Sequence, residues 1–289
     1  MGIIQHCDED EIPALFITID FQKTFDSLEY NFVEKVLSFF DFGENILRWV
    51  KVFYADISSC VLNNGWFSES FKLGRGMRQG CPLSPYLFII AVELLALHVR
   101  QNDNIHGIDI GNETHKMCQY ADDTAFTIPY SEIVLEQILI TLGSFEKASG
   151  LKINAEKTEI LPIGPIKNNF DILLPHVKMK WSKGPVRYLG IQITADHETL
   201  LKTNYDPVVT KIITICNIWR QRDLTIYGKT TIIKTLLISQ LVYVMSVLPS
   251  PTDAYFKNIT QILFNFLWDG KPDKIARNVL YSKKELGYV

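Results

Sequence analysis

The apolar positions change period along the chain. Ala14-Leu15-Phe16-Ile17-Thr18-Ile19 is almost continuously apolar, the pattern of a strand covered on both faces. Alternation then puts Leu15, Ile17 and Ile19 on one face and Phe16, Thr18 and Asp20 on the other. Helical spacing follows over about 29–40, with Gly43 as the expected stop, and over 44–55, where Ile46, Leu47, Val50 and Phe53 recur. Asn63-Asn64-Gly65 between two short apolar pieces, 59–62 and 66–68, predicts a hairpin. The stretch 86–100 is apolar nearly all round and predicts a buried helix, with Ser84 as its N-cap and Pro85 as its first helical residue. A second hairpin is expected from 115–118 and 125–129, with Gln119-Tyr120-Ala121-Asp122-Asp123-Thr124 between them.

Beyond that hairpin an amphipathic helix is expected over 131–149, closed by Gly150. Short extended pieces at 152–154 and 158–161 flank Lys157, and 162–185 reads as loop. One strand is expected over 188–194, then three helices at roughly 203–222, 228–247 and 252–268. This order describes an α+β part at 1–197 followed by a helical part at 198–289.

Composition narrows the class. With 289 residues, 47% hydrophobic and 21% charged, the chain is globular. No apolar run reaches the roughly 18 residues that span a bilayer; the longest candidate, 86–99, contains Glu93, so no membrane partner is expected. The acidic run Asp8-Glu9-Asp10-Glu11 is unlike a signal peptide. Five scattered cysteines without zinc spacing imply reduced thiols, no disulfide partner and an intracellular protein, nuclear or cytoplasmic. The net charge of −3 argues mildly against nucleic-acid binding, but it divides into −9 over residues 1–200 and +6 over 201–289. An acidic part suits a metal and a basic helical part suits phosphate.

Candidate chemistry lies at the strand ends. Asp122 and Asp123 repel each other unless a cation or water lies near, although an ordinary Asp-rich turn carries the same residues. Asp20 ends an apolar strand and could stand beside them on an open sheet face. Gly74, Gly76 and Gly80 allow the backbone around Arg78-Gln79-Gly80 to approach a ligand closely.

Taken in series, five stretches resemble the reverse transcriptases of non-LTR (LINE-type) retrotransposons. They are Phe16–Asp26, Arg78-Gln79-Gly80-Cys81-Pro82-Leu83-Ser84-Pro85, Tyr120-Ala121-Asp122-Asp123, Gly150-Leu151-Lys152-Ile153-Asn154 with Lys157-Thr158, and Tyr188-Leu189-Gly190-Ile191. The resemblance implies a polymerase palm, an antiparallel sheet backed by helices, followed by an α-helical thumb that includes Gly228-Lys229. It implies RNA-directed DNA polymerase activity with RNA template, DNA primer, dNTPs and an RNA–DNA hybrid as partners.

The same resemblance assigns roles. Asp20, Asp122 and Asp123, with the Phe21 carbonyl, hold two Mg²⁺ ions, for which Mn²⁺ substitutes; oxygen donors suit such hard cations. Phe25 stands against the sugar and excludes a 2′-hydroxyl. Arg78, Gln79 and Gly80 meet the incoming nucleotide and template, Arg78 being equally readable as a solvated side chain. Tyr120, Tyr188, Leu189 and Gly190 hold the primer. Lys157 donates a proton to pyrophosphate, or is a plain surface lysine.

The chain departs from the family in starting about nineteen residues before Asp20, so an N-terminally truncated palm and thumb, from a longer polyprotein or a degraded copy, is expected. Two other readings compete. One is an inactive RNA- or hybrid-binding remnant; the other is a nucleotidyl cyclase, disfavoured by the Arg-Gln-Gly stretch and the helical tail.

Overall fold

The structure is a computed structural model that describes residues 2–277. The described residues divide into two compact units, the first ending at Ala195 and the second beginning at Asp196. In the first unit α1 (Gly2–Glu9) leads into β1 (Ala14–Ile19), α2 (Thr24–Ser27), α3 (Tyr30–Phe39) and α4 (Glu44–Tyr54). Two small ribbons follow, formed by β2 (Ser58–Ser59), β3 (Leu62–Asn63), β4 (Trp66–Phe67) and β5 (Phe71–Lys72). Next come α5 (Ser84–Gln101), β6 (Ile108–Ile110), β7 (Glu113–His115), β8 (Met117–Tyr120), β9 (Asp123–Pro129) and α6 (Glu132–Ser149). The unit ends with β10 (Glu159–Ile163), β11 (Lys180–Trp181), β12 (Val186–Tyr188) and β13 (Ile191–Ile193).

Five strands form the main sheet in the order β11-β10-β1-β9-β8, which places β1 at its centre. All six residues of β1 are buried, as its apolar run predicts. Leu15, Ile17 and Ile19 belong to the core shared with Phe88, Leu95, Phe126 and Leu135, so this face packs on the helices. The other face carries Phe16, whose ring meets Tyr188 edge-on at 5.8 Å.

The sheet is mixed, where an antiparallel one was expected: β10 and β11 pair in parallel. The segment between them is long enough for a crossover, which a hairpin turn is not. The expected single strand over 188–194 is a hairpin, because Leu189 and Gly190 take φ of 47° and 79° and reverse the chain. Two consecutive positive φ values make the tight turn that matches strand twist, and a leucine there carries backbone strain.

Helix ends also differ from expectation. α3 stops where Asp41 turns left-handed, while Gly43 precedes α4 as its N-cap. Ser84 lies inside the first turn of α5; its hydroxyl meets the Tyr54 hydroxyl at 3.0 Å, leaving Leu83 as the capping position. On α4, Val50 and Tyr54 are buried but Ile46, Trp49 and Phe53 are exposed, so its apolar stripe is wider than its core contact.

The second unit is helical: α7 (His197–Arg220), α8 (Ile226–Ile232), a π-helical turn at Ile233–Leu237, α9 (Ile238–Val247) and α10 (Asp253–Leu267). α7 begins before residue 203 because the Asp196 carboxylate accepts from Thr199 N–H at 2.7 Å, a capping bond that periodicity does not register. Ile212, Leu237 and Phe266 are fully buried at its core. Lys229 is buried too, paired with Asp269, so it works as an internal strut. The continuous helix Ile226–Val247 is long and apolar enough to cross a membrane by length and composition, which corrects the reading that nothing in the chain is. Its lysines and threonines interrupt the apolar run in sequence. Residues 278–289, the end of the expected helical part, lie outside the described residues.

Candidate active site

The β1–β9 register runs from Ala14↔Pro129 to Ile19↔Thr124, and one further step sets Asp20 opposite Asp123. Tyr120 pairs with Asp123 across the β8–β9 hairpin, leaving Ala121 and Asp122 as its two-residue turn. Ala121 takes a positive φ of 53°, a strained value for a residue with a side chain. Asp20 and Asp123 thus face each other at one end of the central strands, with Asp122 in the adjoining turn.

The Asp123 carboxyl is raised above its ordinary value, first by partial loss of hydration and then by the charges of Asp122 and Asp20. Its side chain remains exposed.

Asp20 is braced from the far side of β1. Phe21 bridges Ile153, framed by bonds from Asn154 N–H to the Asp20 carbonyl and from Gln22 N–H to the Lys152 carbonyl, each 2.8 Å. The Asn154 side-chain amide donates to Asp20 Oδ2 at 3.1 Å. This contact spans 134 positions of sequence and was missed; the signal that could have found it is a polar amide closing the apolar piece Leu151–Ile153. The Phe21 carbonyl accepts from Thr24 Oγ1 at 3.3 Å and retains a second lone pair.

The remaining candidates surround this centre unevenly. Phe25 is half-buried, its ring 4.8 Å from that of Phe88 on α5. The Gly-rich loop docks on α2 and the residues just after it, with Gly76 N–H donating to Leu28 O and Met77 N–H to Phe25 O. Gly76 has φ of 96°, and a Cβ there would lie 3.0 Å from the Asp26 carbonyl oxygen, so the close approach it permits is to the protein's own backbone. Arg78 donates to the Phe53 carbonyl and lies over the Tyr54 ring at 5.5 Å, engaged with the end of α4. Gln79 and Gly80 are exposed.

Tyr120 is 70% exposed at the end of β8. Tyr188 donates its hydroxyl to the Cys118 carbonyl at 3.2 Å, which joins the β12–β13 hairpin to β8. Burial, then Cys118 and Asp123, push its phenol up to about 12. Leu189 and Gly190 form the tip of that hairpin. Lys157 is exposed, its N–H bound to the Asn154 carbonyl at 3.1 Å.

Among the described residues no three His, Cys, Asp or Glu side chains form a metal cage by themselves. The donor set still fits Mg²⁺. That ion binds through one or two carboxylates and completes its octahedron with water and substrate phosphates, and Asp20 keeps an oxygen outside its bond to Asn154.

The chain matches the sequence profile of the family described as reverse transcriptase (RNA-dependent DNA polymerase) over residues 3–193. It is 28% identical over 261 residues to the transposon TX1 uncharacterized 149 kDa protein of Xenopus laevis, covering 89% of this chain and 19% of that protein. It is 27% identical over 207 residues to the retrovirus-related Pol polyprotein from type-2 retrotransposable element R2DM of Drosophila melanogaster, covering 67% of this chain and 19% of that one. The chain therefore spans about a fifth of the length of these relatives. The structure of telomerase from Candida tropicalis in complex with a TWJ fragment of telomeric RNA superposes with a TM-score of 0.50 at 14% identity, over 95% of this chain and 42% of that one. That likeness concerns the fold alone.

Proposed function

The chain belongs to the reverse transcriptase family, whose members use divalent metal, and from that premise we propose that it is the catalytic core of an RNA-directed DNA polymerase. It transfers a nucleotide from a dNTP to a primer 3′-hydroxyl on an RNA template. The observation that carries this reading is the gathering of Asp20, Asp122 and Asp123, with the Asp123 carboxyl raised by its neighbours.

Asp20 and Asp122 are the principal ligands for two Mg²⁺ ions, with Asp123 and the Phe21 carbonyl auxiliary. When bound, the ions lower the pKa of the attacking hydroxyl and neutralise charge on the departing pyrophosphate. The protein's own groups do the positioning, which supplies much of the acceleration in a two-substrate reaction. Phe25, steadied by Phe88, presents the open part of its ring to the sugar and excludes a 2′-hydroxyl. Gln79 and Gly80 face the incoming nucleotide and template. The bond from Arg78 to Phe53 favours an anchoring role for that side chain over phosphate contact. Tyr120 and the turn of Tyr188, Leu189 and Gly190 hold the primer end, and Lys157 protonates pyrophosphate. The second unit acts as the thumb, its positive charge following the backbone of the hybrid duplex. Such a core works inside the cell, in nucleus or cytoplasm.

The test is incorporation of deoxythymidine triphosphate on an RNA template with a DNA primer, in Mg²⁺ and in Mn²⁺, beside the Asp122→Asn protein. Circular dichroism establishes that both are folded. Activity confined to the parent is expected. Equal activity in both would refute the assignment, and silence from a folded parent would instead favour the inactive hybrid-binding remnant.

A further inference from the structure

Asn154 meets Asp20 twice, through its backbone N–H to the Asp20 carbonyl at 2.8 Å and through its side-chain amide to Oδ2 at 3.1 Å. Its own carbonyl accepts from the N–H groups of Lys157 and Thr158 and from Thr158 Oγ1, at 3.1, 2.9 and 2.9 Å. Thr158 is 1% exposed, so this turn is anchored in the core. An ionised carboxylate only accepts, which requires the amide to present its NH₂ to Asp20. The terminal torsion of an aspartate is broad and roughly two-fold. One bond to Oδ2 selects an orientation within it and leaves Oδ1 outside that bond.

We propose that Asn154 is a positioning residue for the divalent-metal site, a neutral donor that fixes the Asp20 carboxylate in its ligating orientation. The inference rests on the polymerase reading above. The residue type suits the task. A lysine here would compete with the metal, and an aspartate would add a further negative charge to a cluster that already repels itself. Second partners of ligating carboxylates typically contribute 10- to 100-fold to metal affinity.

Mn²⁺ binding to the full chain, followed by electron paramagnetic resonance and by thermal melting, tests this in the parent, Asp20→Asn, Asn154→Ala and Asn154→Asp. The parent binds and Asp20→Asn does not. Asn154→Ala weakens binding roughly 10- to 100-fold. Asn154→Asp keeps the shape but cannot donate, so it melts lower without metal and gains more from Mn²⁺ than the parent does. In primer extension Asn154→Ala lowers kcat and raises the Mg²⁺ needed for half-activity, with the KM for dNTP unchanged. A role in merely filling the turn predicts parental Mn²⁺ affinity in Asn154→Ala and parental melting in Asn154→Asp, and either result overturns the proposal. If Asn154→Ala does not fold, the Asp variant decides alone. A folded parent that binds no Mn²⁺ overturns the metal reading and this inference with it; failure of the inference alone is seen only in the Asn154 variants.

Discussion

Replacing Tyr188 with phenylalanine removes one oxygen from the junction between the β12–β13 hairpin and β8. The ring stays in place against Phe16, 5.8 Å away and nearly perpendicular. What is lost is the bond from the hydroxyl to the Cys118 carbonyl, worth about 1 kcal/mol net. Near pH 8 the parent should be more stable than Tyr188→Phe by about that amount. The advantage should then vanish with rising pH. The folded phenol is pushed up to about 12, by burial first and then by Cys118 and Asp123, whereas an unfolded tyrosine titrates near 10. A folded value above the unfolded one contributes stability that is complete below pH 10 and lost as pH rises through 12. At about pH 11 the unfolded parent is mostly ionised and the folded parent mostly neutral, a difference of about 1.4 kcal/mol, nearer 1 after allowance for the hydration the phenol keeps. The two effects cancel there, so the urea midpoints of parent and variant should cross near that pH. The other tyrosines titrate alike in both proteins and drop out of the comparison. A parent that keeps the same margin at pH 11 as at pH 8 would refute the reasoning.

Two further outcomes follow from burial and packing. Phe25→Val, in a protein active in primer extension, should raise ribonucleotide incorporation relative to deoxyribonucleotide, and should lower stability by about 1 kcal/mol through the lost contact with Phe88; unchanged sugar discrimination would sink the proposed gate. In the second unit the Lys229 side chain is 9% exposed but Asp269 is 56% exposed. Asp269→Asn removes the counter-charge of a buried ammonium and should cost about 3 kcal/mol, whereas Lys229→Met frees an aspartate that water can solvate and should cost less than about 1.5 kcal/mol. Chemical denaturation that ranks these two variants the other way would count against the strut.

Local pattern determined a good deal of this protein. Alternation through Ala14–Ile19 separates the face that packs on helices from the face that bears Asp20, because the side-chain period of a strand is two wherever the strand lies. Asn64-Gly65 and the polar residues between 118 and 125 reverse the chain by their own turn chemistry, so both hairpins were legible. The acids at strand end and turn could be named as candidates before any pairing was known.

Pairing itself was decided only in three dimensions. Nothing periodic says that β1 lies between β9 and β10 in the register that sets Asp20 opposite Asp123, since that choice depends on burying Ile17 against Phe126 and Ile160 at once. Nor does local sequence reveal that β11 crosses over to run parallel, or that Leu189 accepts a left-handed backbone beside Gly190. The exposed stripe of α4 misled for the same reason: apolar spacing states what a helix could bury, and the neighbours decide what it does bury. The Asn154–Asp20 bond is the extreme case. Hydrogen bonds act over about 3 Å, and residues 134 positions apart come within that reach only after the sheet has closed around β1.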